Sequence, residues 1–135
     1  MTERAKAIEA RLISVVDDDE SVRQALESLL KSVGFRVAVF TSAPDFCEAT
    51  EFHTSDCLIL DVRMPGMGGL ALQKRLLEKS SPVPVVFISA HGERNEREQA
   101  LANGAVAFLQ KPFDDSSLLD SVGNAIKSKD GEGRK

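Results

Sequence analysis

The chain has 135 residues, 42% of them apolar and 28% charged, proportions that suit one soluble globular domain and exclude a disordered, collagen-like or disulfide-scaffolded chain. Seventeen basic against 21 acidic residues leave a net charge of −4, which argues against direct nucleic-acid binding, since phosphate backbones are met by clustered positive charge. No run approaches the roughly 18 apolar residues of a membrane span, and residues 1–11 lack the apolar core of a secretion signal, so the expected location is the cytoplasm.

Residues 1–10 read as a polar leader, followed by a first strand over 12–16. Val22, Ala25, Leu26, Leu29, Leu30 and Val33 then fall on one helical face, with Gly34 as the stop. A strand is expected over 36–40, and Ser42-Ala-Pro-Asp45 opens a short second helix in the manner of a capping box. His53 lies in a polar loop where it should be solvated. Strands follow over 57–60, 85–89 and 106–109, separated by helices over 69–79 and 94–103, the latter ended by Gly104. A fifth helix over 116–127 turns Leu118, Leu119, Val122 and Ile126 inward, and the polar segment 128–135 is expected to fray. Cys47 and Cys57 show no metal or redox spacing and read as reduced thiols. Phe35, Phe40, Phe46 and Phe87 read as packing residues.

Alternating strands and helices with right-handed crossovers predict an α/β fold, a (βα)5 doubly wound sheet of five parallel strands in the flavodoxin-like order 2-1-3-4-5. In such sheets ligands sit beyond the carboxyl ends of the strands where the order reverses. Those ends carry Asp17, Asp18 and Asp19 after strand one and Asp61 after strand three. Carboxylates brought to ~4 Å repel by about 4 kcal/mol at an effective dielectric near 20, a cost a hard divalent cation such as magnesium removes. Capping of the first helix by Asp17 to Asp19 is the structural alternative. Ser89 at the end of strand four and Lys111 at the end of strand five add a hydroxyl and an ammonium. A metal, an ammonium, a hydroxyl donor and a positioned nucleophile are together what phosphoryl transfer needs.

Four motifs carry a resemblance: Val15-Val-Asp-Asp-Asp-Glu20, Leu60-Asp-Val-Arg-Met-Pro-Gly66, Val86-Phe-Ile-Ser-Ala90 and Phe108-Leu-Gln-Lys-Pro-Phe113. With them the chain resembles a bacterial two-component response-regulator receiver domain over residues 12–127, and Asp61-Val-Arg-Met-Pro-Gly-Met-Gly-Gly69 with Ile88-Ser-Ala-His-Gly92 is similar to the FixJ-type group. The resemblance implies Asp61 as phosphoacceptor, Mg2+ held by Asp18, Asp61 and the carbonyl of Arg63, and Asp17 acting through water. It further implies Lys111 on the phosphoryl oxygens, Ser89 and Phe108 as the switch, Arg63 and His91 at the site rim, and a cis Lys111–Pro112 bond. The implied partners are a sensor histidine kinase or histidine phosphotransfer protein and a downstream protein. The kinase is expected near the first helix and Phe113, and the downstream protein at the face of helix four, strand five and helix five. A phosphorylation-dependent homodimer is a further implied assembly. The domain is expected over 11–127, as a stand-alone receiver or as one cut from a regulator with a C-terminal DNA-binding domain; the supplied sequence favours the former.

Two other readings are weaker. Gly66-Met-Gly-Gly-Leu-Ala71 matches a dinucleotide fingerprint but lies beyond strand three instead of in the first strand-helix turn. Asp17-Asp-Asp19 resembles the nucleophile motif of haloacid-dehalogenase-type phosphatases, which would leave Asp61 without a role.

Overall fold

The computed structural model describes residues 11–90 and 94–133. Five strands, β1 (Leu12–Val16), β2 (Arg36–Phe40), β3 (Cys57–Asp61), β4 (Val85–Ser89) and β5 (Ala107–Gln110), form one sheet in the order β2-β1-β3-β4-β5. All pairings are parallel, as expected for the doubly wound class. The helices are α1 (Glu20–Ser32), α2 (Ala43–Glu48), α3 (Glu51–Thr54), α4 (Gly69–Glu78), α5 (Arg94–Ala102) and α6 (Asp115–Gly133).

The period-2 alternation of side chains splits the core into two layers. Leu58, Leu60, Val85 and Phe87 point to one face with Phe46, Leu72, Ala100 and Phe108. Ile59, Val86 and Ile88 point to the other, with Leu26 and Leu30 of α1 and Leu118 and Val122 of α6. Every residue of β3 and β4 is buried, the condition of central parallel strands covered on both sides. Phe46 and Phe87 are fully buried, and Phe35 and Phe40 are packed partners of the two layers, so all four phenylalanines serve packing as expected. Cys57 is buried, Cys47 is half-buried, and both are free thiols.

The structure departs from the expected elements in four places. Strand β3 runs one residue further, to Asp61, and β5 sits one residue later than expected. His53 belongs to the short turn α3; its ring is solvent-facing but packs edge-on against Phe52 at a centroid distance of 4.8 Å. The expected fraying of 128–135 is overturned as far as Gly133, because α6 continues to that residue. Charge holds this extension where apolar packing does not. Arg11 donates two hydrogen bonds to Asp130, at 2.9 and 2.7 Å. Lys129 meets Asp56 at 3.2 Å and the Ser55 carbonyl at 3.1 Å, and Asp56 also accepts from the Leu12 amide. A polar helix end of this kind has no apolar stripe, so periodicity cannot reveal it.

One contact fixes the loop after β3. The amide of Gly69 donates to the Val62 carbonyl at 2.8 Å, and a Cβ at Gly69 would run into the carbonyl oxygen of Asp61 and lie 3.0 Å from the Val62 Cα. Gly69→Ala is therefore expected to cost about 1–3 kcal/mol through forced backbone displacement. Gly123→Ala, whose Cβ meets open space within α6, should be neutral or gain up to about 1 kcal/mol from helix propensity. Urea unfolding of the two variants checks this; equal stabilities would refute the close approach.

Candidate functional site

The carboxyl ends of β1, β3, β4 and β5 meet at one edge. Asp17 directly follows β1 and is fully buried, Asp61 ends β3 and is 6% exposed, and Asp18 is exposed. One carboxylate oxygen from each of these three lies within 4.8 Å of the others. Across from them Lys111, just beyond β5, places its ammonium 3.0 Å from Asp17 Oδ2 and 3.6 Å from Asp61 Oδ1. Its backbone amide donates to the Ser89 carbonyl at 2.7 Å, which ties the end of β5 to the end of β4. The Lys111–Pro112 peptide bond is cis, as expected.

The capping alternative is now resolved residue by residue. Asp19 caps α1, accepting from the Ser21 amide and hydroxyl at 2.9 and 2.7 Å. Asp17 faces the site instead, where its Oδ1 accepts from the Asp19 amide at 2.9 Å and its Oδ2 meets Lys111. The guanidinium of Arg23 donates to the Asp17 carbonyl at 2.7 Å and so anchors the turn from below. Both oxygens of Asp17 are thus engaged and its side chain is fully buried, whereas Asp61 keeps a small exposed area and the longer of the two contacts with Lys111.

Among the described residues the ammonium of Lys111 meets two of the three carboxylates, Asp17 and Asp61. Burial is the main cause that pushes the Asp61 carboxyl up to about 6, with the charges of Asp17 and Asp18 adding to it; Lys111 and the Arg63 amide pull the other way. An oxygen-rich, net-negative cluster with one exposed member suits a hard divalent cation, which takes carboxylate oxygens and keeps waters.

Ser89 is buried at the end of β4, in register with Gln110 of β5. Phe108 is 7% exposed, packed 6.1 Å from the ring of Phe87, and its carbonyl accepts from Arg97 of α5 at 3.1 Å. Arg63 lies at the rim, half-exposed, paired with Glu96 of α5 at 3.4 Å. His91 falls outside the described residues. Beside Lys111 an apolar groove of about 470 Å³ runs between α1 and the segment after β5, lined by Val22, Ala25, Leu29, Pro112 and Phe113 among others. Sequence reasoning missed Arg23 and Arg97, whose hydrogen bonds to backbone carbonyls leave no residue pattern. It weighed Gly66, Gly68 and Gly69 only against a dinucleotide fingerprint and gave no sign of the close approach at Gly69.

A family model described as response regulator receiver domain matches residues 13–123. The chain belongs to the response-regulator receiver family. It is 43% identical over 116 residues to the response regulator protein TmoT of Ectopseudomonas mendocina, covering 86% of this chain and 53% of that protein. The structure of the response regulator StyR matches with a TM-score of 0.86 and 41% identity, over 92% of this chain and 63% of the other. The crystal structure of FixJ-N matches with a TM-score of 0.79 and 32% identity, over 87% and 94%, in keeping with a FixJ-type receiver. This receiver spans about half the length of the curated relatives it matches. It is a regulatory domain of two-component signalling, a family in which aspartyl phosphorylation and magnesium are general, and membership removes the dehalogenase and dinucleotide readings. Among the described residues no helix is long and apolar enough to cross a membrane.

The raised Asp61 carboxyl has a consequence for stability. Its folded value, about 6, exceeds the ordinary 3.8, so ionisation opposes folding: the penalty is absent below about pH 4, grows between the two values and is complete above about 6. In metal-free buffer Asp61→Asn should therefore raise the unfolding free energy at pH 7.5 by about 1–3 kcal/mol. The gain should vanish near pH 4. Denaturant titrations at both pH values check this, and a variant no more stable than the parent at pH 7.5 would contradict it.

Proposed function

We propose that this receiver takes a phosphoryl group onto Asp61 from the phosphohistidine of a sensor kinase or histidine phosphotransfer protein and signals by changing shape. The observation that carries the reading is the convergence of Asp17, Asp18 and Asp61 within 4.8 Å, with Lys111 beside them. The residues that would hold magnesium are Asp18, Asp61 and the Arg63 carbonyl, with Asp17 acting through water. A bound ion supplies positive charge to offset both the carboxylates and the phosphoryl oxygens.

The remaining chemistry belongs to the chain. The ionised Asp61 carboxylate attacks phosphorus, an O–P bond forms, and the P–N bond to the donor imidazole breaks, leaving an acyl phosphate. At pH 7.5 a carboxyl of value about 6 is mostly ionised, so the nucleophile is available at neutral pH. Lys111, already 3.6 Å from Asp61 Oδ1, neutralises a phosphoryl oxygen as it arrives. The buried position of Asp61 holds the acyl phosphate against bulk water, and the domain catalyses both its own phosphorylation and the later hydrolysis. Ser89 donates its hydroxyl to a phosphoryl oxygen, and Phe108 repacks in response. Its burial is worth about 1.5–3 kcal/mol, short of the ~5.5 kcal/mol that a 1:99 to 99:1 shift requires, so other contacts move with it.

The groove between α1 and Phe113 lies beside Lys111 and is where the phosphodonor docks. The face of α5, β5 and α6 carries the output, to a downstream protein or a second phosphorylated copy. The receiver unit is assigned to residues 11–127, and its proposed location is the cytoplasm.

Treatment with acetyl phosphate and Mg2+ should give one added phosphoryl group by intact mass, mapped to Asp61 after borohydride trapping. Asp61→Asn should abolish it, while Ser89→Ala should retain it. Phosphorylation of the Asn variant to the parent's level, at any other residue, would overturn the assignment.

A further inference from the structure

Helix α5 is attached to the rest of the molecule in an unusual way. Of its nine residues only Ala100 is buried, so little apolar area holds it, and its fastenings are polar. Toward its start Arg63 reaches Glu96 at 3.4 Å, a half-exposed ion pair, the kind that contributes little in water. At mid-helix Arg97 holds the Phe108 carbonyl of β5.

The C-terminal turn is held differently. Gly104 adopts φ +98, its amide donates to the Leu101 carbonyl at 3.0 Å, and the Ala105 amide donates to the Ala100 carbonyl at 3.0 Å. This pair of bonds is a Schellman stop, in which orphan carbonyls at a helix end are satisfied by the residues that leave it. A third donor enters from another helix: Gln73 of α4, itself 2% exposed, donates from Nε2 to the same Ala100 carbonyl at 2.9 Å. The bond reaches the negative end of the helix dipole in a buried setting, where it is strong.

The other half of the Gln73 amide is equally informative. Its Oε1 is buried and has no hydrogen-bond partner among the described residues. Burying an unsatisfied acceptor costs free energy, which offsets part of what the bond from Nε2 contributes. A buried polar group held against that cost is best explained by the geometry it imposes.

We propose that Gln73 is a positioning residue, the pin that makes the C-terminal turn of α5 a fixed end, so that switching motion is taken up by the N-terminal turn. The inference rests on the functional reading above, in which phosphorylation of Asp61 repacks Phe108 and the face of α5, β5 and α6 carries the output. Gln73 suits the role because it lies one turn beyond Gly69, whose backbone is packed onto the end of β3 at Asp61. The fixed end of α5 is thereby referenced to the same strand that carries the acceptor. Arg97 lies between the pin and the N-terminal turn, and a shift of the Phe108 backbone drawn through its hydrogen bond turns the helix about the pin.

Amide hydrogen exchange on the resting protein tests the pin without any phosphorylation. In the parent, amides of 100–105 should be better protected than those of 94–98. Gln73→Leu should speed exchange over 100–105 about tenfold while β1 and β3 keep their rates, and Gln73→Met, unbranched and also lacking the donor, should do the same. Beryllofluoride with Mg2+ then tests the fixed end. Parent amide shifts should change most over 94–98 and little over 101–105, and in both variants the change should spread through 105. A packing role alone would alter the melting temperature and leave this distribution as it is. Unchanged exchange over 100–105 in both variants, or parent shifts as large at 101–105 as at 94–98, would overturn the proposal. Absence of any beryllofluoride response, with exchange behaving as expected, would instead count against the phosphoryl reading and leave the pin standing.

Discussion

Three carboxylates gathered within 4.8 Å of one another, two of them set against the ammonium of Lys111, constrain most of the carboxyl edge of this sheet. Asp17 is fully buried, and a buried charge without a partner is among the most costly features a fold can carry. Lys111 must therefore come back over the edge to meet it, so β5 has to end at Gln110 and its continuation is tied by the Lys111 amide to the end of β4. Asp61 is left with the weaker share of the same ammonium and with its carboxyl pushed upward, chiefly by its own burial. A site in that state is short of positive charge, and a divalent cation and a phosphoryl group with its counter-charges are the chemical means of completing it.

The same edge governs what moves. Asp61, Ser89 and Phe108 lie on three adjacent strands of the sheet, so the proposed acceptor and the proposed switch residues are separated by only one strand. Beyond β5 the contact is with α5, a nine-residue helix with a single buried residue. A weakly packed helix joined to its neighbours by polar bonds can change position without disrupting the apolar layers, because close-packed cores resist continuous deformation and loosely held elements do not.

Fold class and strand order were legible because the strands are short apolar runs between helical patterns, and a parallel sheet with right-handed crossovers admits few arrangements. The acidic cluster was legible for a related reason: strand order decides which strand ends are neighbours, so Asp17, Asp18, Asp61 and Lys111 could be brought together without coordinates. Side-chain bonds to backbone were not legible. Arg23 on the Asp17 carbonyl, Arg97 on the Phe108 carbonyl and Gln73 on the Ala100 carbonyl use an acceptor that every residue possesses, so no residue pattern marks them. The helical extension through Asp130 escaped because two ion pairs between segments 119 and 73 positions apart replace the apolar stripe on which helix recognition depends.

The central claim is that the carboxylate cluster is short of positive charge and is completed by a divalent cation. Thermal unfolding at pH 7.5 in MgCl2, against NaCl of matched ionic strength, tests it most directly, since a ligand bound only by the folded state raises stability by about 2.7 kcal/mol at 100 times its dissociation constant. The melting temperature should rise by several degrees with magnesium in the parent protein and by far less in Asp18→Ala. A parent whose melting temperature is indifferent to magnesium, or an Asp18→Ala variant that responds as strongly as the parent, would contradict the account.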